Sequence, residues 1–413
     1  MNLHPSVADT VAGLLEAHRP GYSLARAFYE DPAVYAADLD RVFLRTWHYA
    51  GHASQCATPG SFFLDEFAGD SIIVVRGRDE RIRAFHNVCR HRGSRLATEA
   101  SGCVRALTCP YHAWTFGLDG RLLSAPAMGD DFDPAGFGLK ECAVRVIDGL
   151  ILVCPGTPLD PLDDFARDLE PFIRPSRLEQ TKVAATLRWP TKANWKLVME
   201  NFAECYHCGP AHPEYCSVMA HARKDTTGNP TLTEQYNRFE DEWTARMRAQ
   251  GKITGGVNRL EDLGYQIVRF PVGEGRLSQT REGRAVAPLL GDYREYDGGV
   301  TGVGLRPSFN LYVDNDHAVI LSFVPHGPLL TDTVITWLVR ADAQEGRDYQ
   351  VDDVTWLWRV TTDQDKRIVE DNQAGVSSRA YEPGPYSPKV EVGPPRFHRW
   401  YFRQLAEGVP AGA

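Results

Sequence analysis

Two pairs of metal-binding side chains stand close together in this chain. Cys89-Arg90-His91 is followed, after seventeen residues, by Cys109-Pro110-Tyr111-His112. Each pair offers one thiolate and one imidazole. Two cysteines on one iron and two histidines on the other make a [2Fe–2S] centre. Neutral imidazole puts less negative charge on such a cluster than thiolate does, which raises its potential. The competing chemistry is structural zinc in a Cys2His2 site. Zinc pairs usually space their ligands by two or more residues, and Cys-x-His is tight for one tetrahedral ion. Ligand type and spacing therefore favour a Rieske-type cluster. Gly93 after the first pair, and Pro110 and Gly117 around the second, suit two loops that clamp a cluster from both sides.

A second set of ligands follows a hundred residues later. Asn201, Glu204 and His207 recur every three residues, which places them on one face of a helix expected over Lys192–His207. Gly209-Pro210 breaks that helix, so the chain can fold back and aim His212 where His207 points. Two histidines need an anionic third ligand to complete the 2-His-1-carboxylate triad of non-heme Fe(II), which leaves positions for O2 and substrate. Asp365, on a long helix near the C-terminus, is the best candidate, with Asp363 and Asp371 as rivals. Zinc on Cys205, His207, Cys208 and His212 is one alternative. Two surface histidines without a ligand is another. Either leaves the [2Fe–2S] centre with no electron acceptor in the chain, which favours reading the two sites together.

The elements around these residues change texture along the chain. Residues 1–40 read as helical, with helices over Ala8–His18 and Pro32–Phe43. From Trp47 to Cys154, short β-rich runs appear at Ser61–Phe67, Ser71–Arg76, Ile82–Asn87, Val104–Leu107 and Leu150–Val153, punctuated by Gly and Asp. This reads as a small antiparallel β domain, and both Cys/His pairs lie inside it. Pro155–Pro161 reads as a linker, Leu162–Ile173 as a helix and Val183–Trp189 as a strand. Residues 222–260 are polar and read as an irregular loop with helical parts. Ser308–Val313 and Ala318–Val324 flank Asp314-Asn315-Asp316 as a hairpin, with Thr333–Arg340 as a third strand. Asp352–Gln373 reads as a long helix ending near Gly375. The segment Tyr381–Pro395 reads as an extended tail before a short aromatic helix. The fold class expected is α+β: a small antiparallel β domain (45–155) inserted into a domain of antiparallel sheet flanked by helices (156–413), with an N-terminal helical segment (1–44) packing on the latter.

Bulk composition sets limits. The chain has 413 residues, 43% hydrophobic and 24% charged, which allows large cores. Net charge is -9 with no basic block, which argues against nucleic acid as a partner. The first twenty residues lack an apolar core of the kind a signal peptide needs, and no run could span a bilayer. A cytoplasmic location without membrane contact is expected. The nine cysteines are then expected as reduced thiols or metal ligands, not a disulfide framework.

Taken together, Cys-x-His…Cys-x2-His followed by Asn201-x2-Glu204-x2-His207-x4-His212 resembles the catalytic α subunit of Rieske non-heme iron oxygenases, the aromatic-ring-hydroxylating family, over nearly the whole length. The family usually has Asp where Glu204 stands, one methylene shorter. Its iron-binding Asp is followed five residues later by a Glu, which Asp365 and Glu370 match and Asp363 does not. The resemblance implies a [2Fe–2S] cluster on Cys89, His91, Cys109 and His112, and mononuclear Fe(II) on His207, His212 and Asp365. It implies O2 as co-substrate and electrons from NAD(P)H through a separate flavin or iron–sulfur reductase, or a ferredoxin. It implies a head-to-tail homotrimer in which His112 of one subunit meets Glu204 of the next, because the two metals of one chain are too far apart. Glu204 and Asn201 are then the catalytic-relay residues.

The stretches Glu204–Cys208, Trp356–Val360 and Glu382–Ser387 resemble the branch that demethylates betaines such as glycine betaine, stachydrine and carnitine. The expected reaction is hydroxylation of an N-methyl group, followed by release of formaldehyde. A quaternary ammonium has no hydrogen-bond donor and is best held by aromatic faces. Phe202, Tyr206, Tyr312, Trp356 and Trp358 are the cage candidates. Ring hydroxylation of an aromatic compound is the alternative, and a plain electron carrier is a third reading.

Overall fold

The computed structural model describes residues 7–227 and 229–407. The chain forms two compact units. One is Phe43–Pro161; the other is built from the chain up to Val42 and again from Leu162.

The first unit is a seven-stranded antiparallel sheet in the order His48–His52, Leu150–Cys154, Glu141–Ile147, Ile82–His86, Asp70–Arg76, Ser61–Phe67, Ser101–Cys103. Asp70–Arg76 buries five consecutive residues, the pattern of a strand covered on both faces. A second, three-stranded sheet joins Leu107–Thr108, Thr115–Phe116 and Leu122–Ser124. Ile73, Val75, Phe85, Leu107, Trp114 and Phe116 pack into one core with the side chains of Cys89 and Cys109. The expected strand Val104–Leu107 is not formed. The ladder with Ser61–Phe67 ends at Cys103, with a last bond from Val104 N–H to Gly60 C=O at 2.9 Å, and strand pairing resumes only at Leu107.

The second unit carries another seven-stranded antiparallel sheet, ordered Thr181–Thr191, Leu330–Arg340, Ala318–Gly327, Phe309–Val313, Gly299–Leu305, Tyr265–Pro271, Gly255–Arg259. Helices Trp195–Phe202 and Val351–Val376 pack on it, and Trp337, Leu357 and Trp358 share its core. The helix Trp195–Phe202 is started by Asn194, whose Oδ1 accepts from Lys196 N–H at 2.9 Å. The amide of Asn194 also donates to the carbonyls of Tyr29 and Pro328, at 2.8 and 2.7 Å. Lys196 is fully buried and paired with buried Asp38, which also accepts from Trp195 Nε1 at 2.9 Å. Losing one partner of such a pair leaves an uncompensated charge, worth about 3–5 kcal/mol.

Several expectations change. The helix expected to reach His207 stops at Phe202. Glu204 accepts from the backbone N–H groups of Tyr206 and His207, and this local bonding supports a turn in place of another helical turn. Residues 222–260 are mostly helix, including the 20-residue Pro230–Ala249. That helix buries only Tyr236, Trp243 and Met247 and is polar elsewhere, so it shows little apolar periodicity. It starts at Asn229-Pro230, where the Asn229 side chain accepts from Thr231 N–H at 2.9 Å and Pro230 takes the first helical position. The helix after the tail is fifteen residues, Gly393–Glu407. The Asp314-Asn315-Asp316 turn is fully buried. Cys205 and Cys208 form a disulfide, against the expectation of nine reduced or ligating cysteines, because the turn after Phe202 brings residues three apart face to face. Among the described residues, no helix is long and apolar enough to cross a membrane.

Candidate metal centres

The two Cys/His loops of the first unit have matching geometry. Gly93 N–H bonds Cys89 C=O at 3.0 Å, and Cys89 N–H bonds Ser94 C=O at 2.8 Å. Ala113 N–H bonds Cys109 C=O at 3.0 Å, and Cys109 N–H bonds Trp114 C=O at 2.8 Å. Both turns need a left-handed residue, Gly93 at φ 77° and Ala113 at φ 57°. Ala pays for that conformation where Gly does not, by about 1–2 kcal/mol. Asn87 holds the first loop, accepting from Leu96 and Ala97 N–H at 2.8 and 3.0 Å.

Both thiols are buried, and the rings of His91 and His112 lie 4.7 Å apart. Burial alone would raise the Cys109 thiol. The N–H of Tyr111, the Cys89 thiol and the N–H of His112 together outweigh it and hold Cys109 below its ordinary value. Nδ1 of His112 is buried with no partner in the protein. Two buried thiols, a backbone cradle that favours the thiolate at Cys109 and an unpartnered imidazole nitrogen suit a cluster with mixed Cys/His ligands, so this donor set fits one.

In the second unit, one metal-binding atom each from His207, His212 and Asp365 lies within 4.8 Å of the others. Oδ1 of Asp365 is 3.4 Å from His207 Nε2 and 2.9 Å from His212 Nε2. The opposite nitrogens are held from outside: His207 Nδ1 by Glu204 Oε1 at 2.6 Å, and His212 Nδ1 by Gln364 Oε1 at 2.9 Å. Asn201 Nδ2 stands 3.4 Å from His207 Nε2. Such outer contacts fix the ring orientation of ligating histidines. Burial pulls His207 down, but its bonds to Asp365 and Glu204 prevail and lift it to about 9. Burial pushes the Asp365 carboxyl up, while His207 and His212 bring it below its usual value. The pocket thus attracts positive charge, and a divalent ion fits the two imidazoles and carboxylate present. Sequence reasoning missed Gln364, which is itself fixed by donation to Glu214 at 2.7 Å. Asp363 instead accepts from Trp189 Nε1 at 2.7 Å, and Asp371 is exposed. Glu370 accepts from Lys192 N–H at 2.9 Å and pairs with Lys366.

A cavity of about 280 Å³ opens on this triad. It adjoins a second lobe of about 370 Å³, and Phe202, Ala203, Tyr215, His221, Gln266 and Tyr312 line both. Of the cage candidates, Phe202, Tyr312 and Trp358 face this space, with the Tyr312 and Trp358 rings 4.7 Å apart and Phe202 within 6.5 Å of each. Tyr206 and Trp356 do not. Tyr206 is 48% exposed outside the cavity, and Trp356 lies under the Arg281 guanidinium at 4.6 Å. The end of the helix at Phe202 turns Tyr206 outward, and Trp356 is on a different face of its helix from Trp358. Tyr215, His221 and Phe270 also line the space without having been singled out.

Comparison with known proteins agrees with both units. Residues 46–144 match the Rieske [2Fe-2S] domain, and residues 178–407 match the ring hydroxylating alpha subunit (catalytic domain). The chain is 39% identical to the glycine betaine monooxygenase oxygenase subunit of Chromohalobacter salexigens, over 98% of this chain and 91% of that one. The chain belongs to the Rieske non-heme iron oxygenases.

As a Rieske oxygenase it is an oxidoreductase whose domains use a [2Fe–2S] cluster, non-heme iron and O2. The carnitine monooxygenase oxygenase subunit of Escherichia coli K12 is 34% identical over 52% of this chain and 59% of its own. Among solved structures, a quaternary ammonium Rieske monooxygenase in complex with L-carnitine has the same fold (TM-score 0.69, 22% identity, 98% of this chain and 100% of that one). Naphthalene 1,2-dioxygenase from a Rhodococcus species also shares the oxygenase fold (TM-score 0.63, 17% identity, 98% and 99% covered).

Proposed function

We propose that this Rieske oxygenase hydroxylates an N-methyl group of a betaine-like quaternary ammonium compound, releasing formaldehyde and the demethylated amine. The observation that carries this is the aromatic wall of Phe202, Tyr312 and Trp358 on the cavity that opens at His207, His212 and Asp365. Aromatic faces attract a cation that offers no hydrogen bond, and more strongly once water is excluded. The similarity to the glycine betaine and carnitine oxygenase subunits supports the same substrate class.

In this reading His207, His212 and Asp365 hold iron, and Cys89, His91, Cys109 and His112 hold the cluster. When bound, the metals supply O2 activation and electron delivery. The aromatic wall orients the ammonium so that one methyl faces the triad. Glu204 holds Nδ1 of His207, and Gln364 holds Nδ1 of His212. One oxygen atom enters the N–CH3 C–H bond and the other leaves as water, with two electrons from NAD(P)H through a separate reductase and two protons, one from NAD(P)H and one from solvent. The carbinolamine then loses formaldehyde and a proton. The assembly is a head-to-tail homotrimer in the cytoplasm, with electrons passing from His112 of one subunit to Glu204 of the next.

The test is turnover of the metal-loaded protein with reductase, NAD(P)H and a panel of betaines, read as formaldehyde. Stoichiometric formaldehyde supports the reading. No formaldehyde from any betaine, with a cis-diol formed from an arene, replaces it with ring hydroxylation.

A further inference from the structure

The lobe beyond the aromatic wall ends in hydrogen-bond donors that the protein leaves unused. Its wall is one face of three paired strands. Gly302 pairs with Val268 and Tyr312, and Gly304 pairs with Gln266 and Asn310. Cross-strand partners stand on the same face of a sheet. A Cβ at Gly302 would lie 3.3 Å from the Phe270 ring and 3.5 Å from that of Tyr312. One at Gly304 would lie 3.4 Å from Asn310 Oδ1 and 3.7 Å from Gln266 Cγ. The two glycines therefore hollow the sheet at this spot.

Arg306 stands two residues further along, past the end of the same strand, and lines the same lobe. Its Nε is buried without a partner, and its guanidinium lies over the Phe397 ring at 5.2 Å. Among the described residues no carboxylate pairs with it; Glu240, which also lines the lobe, does not. Burial draws the guanidinium down to about 10, so it remains charged at neutral pH. Asn310 Nδ2 is a second buried donor with no partner in this lobe. Arg396, also on the lobe, is by contrast paired with Glu261 at 3.7 Å. An arginine whose Nε is buried without a partner costs stability unless an anion meets it, and a carboxylate matches its planar fork.

We propose that Arg306, supported by Asn310, anchors the carboxylate of the substrate, so that the two lobes take the two charged ends of one zwitterion. This rests on the quaternary ammonium reading above and narrows it to ammonium compounds that carry an acid group.

The test is equilibrium binding, by calorimetry on the metal-loaded full chain, of glycine betaine, of its amide and of choline. The amide and choline keep the trimethylammonium and lack the carboxylate. The wild-type chain is expected to prefer the acid, and Arg306→Met to weaken acid binding about 10- to 100-fold while shifting the amide and choline far less. Arg306→Lys, which keeps the charge, is expected to recover part of the preference. Arg306→Met that binds the acid as wild type does overturns the proposal. If Arg306→Met does not fold, the wild-type chain still decides: equal affinity for acid and amide overturns the anchor. Binding and oxidation of all three compounds without preference leaves the ammonium reading standing and removes only Arg306. Failure to bind or oxidise any of them overturns both.

Discussion

Oε1 of Glu204 lies 2.6 Å from Nδ1 of His207, and the other nitrogen of that ring faces Asp365 at 3.4 Å. The imidazole is thus held by a carboxylate on each side, one inside the triad and one outside it. Glu204 sits in the turn after Phe202 and borders both the triad cavity and a neighbouring surface cleft. It is placed to link something outside the triad to a residue within it.

Glu204→Gln keeps the shape and removes the charge. Coupled turnover is expected to fall about 10- to 100-fold, the usual cost of losing a carboxylate behind a metal-binding histidine. The check is single-turnover oxidation of the reduced cluster with substrate and O2 present. An unchanged rate with both metals in place would make the proposed electron route wrong.

Gln364→Leu removes the acceptor behind His212 without touching a ligand. Iron retention against a chelator is expected to weaken about 10- to 100-fold. The [2Fe–2S] absorbance should be unaltered, and metal analysis should drop from about three irons per chain toward two. Full retention would mean that Gln364 only fills space.

Trp358→Leu and Tyr312→Leu each remove one aromatic face from the cavity. The KM for a quaternary ammonium substrate is expected to rise about 3- to 30-fold, with kcat less affected. Tyr206→Ala and Trp356→Leu should leave KM near wild type, since neither side chain reaches the cavity. A KM that responds equally to all four would put the cage elsewhere. Thermal melting separates loss of contact from loss of packing.

Asp314 provides a pH-dependent test of the second unit. It is fully buried, and burial pushes its carboxyl from 3.8 up to about 7, opposed by His317 and aided by Asp316. The folded chain thus favours the protonated form. The associated stability is complete below the unfolded value and is lost as pH rises through 7. Asp314→Asn mimics the protonated acid, and its Oδ1 can still accept from Gln279 N–H. The difference in melting temperature, variant minus wild type, should therefore increase from pH 5 to pH 8. A difference that is flat across that range would contradict the raised value.

Much of the chemistry was legible in the chain because it depends on short spacings. Cys89 with His91, and Cys109 with His112, each lie within one turn of backbone, where local geometry leaves few arrangements. His207 and His212 are five residues apart across a Gly-Pro break, so their meeting was also a local matter. The long C-terminal helix and the central strands were readable from periodicity. The polar helix Pro230–Ala249 was not, since it buries only three side chains.

Tertiary structure decided the rest. Asp365 lies 153 residues from His212, and only the rotation of its helix against the sheet turns Asp365 and Gln364 inward and Asp363 toward Trp189. The same rotation brings Trp358 into the cavity and keeps Trp356 out. Gln266, Gly304 and Asn310 become neighbours through strand register, and Arg306 joins them at the strand end. Ligand types with short spacing carry their own geometry, so the sequence by itself determined which residues could hold metal. Register and helix rotation depend on the whole core, so only the fold decided which side chains complete the triad and shape the space beside it.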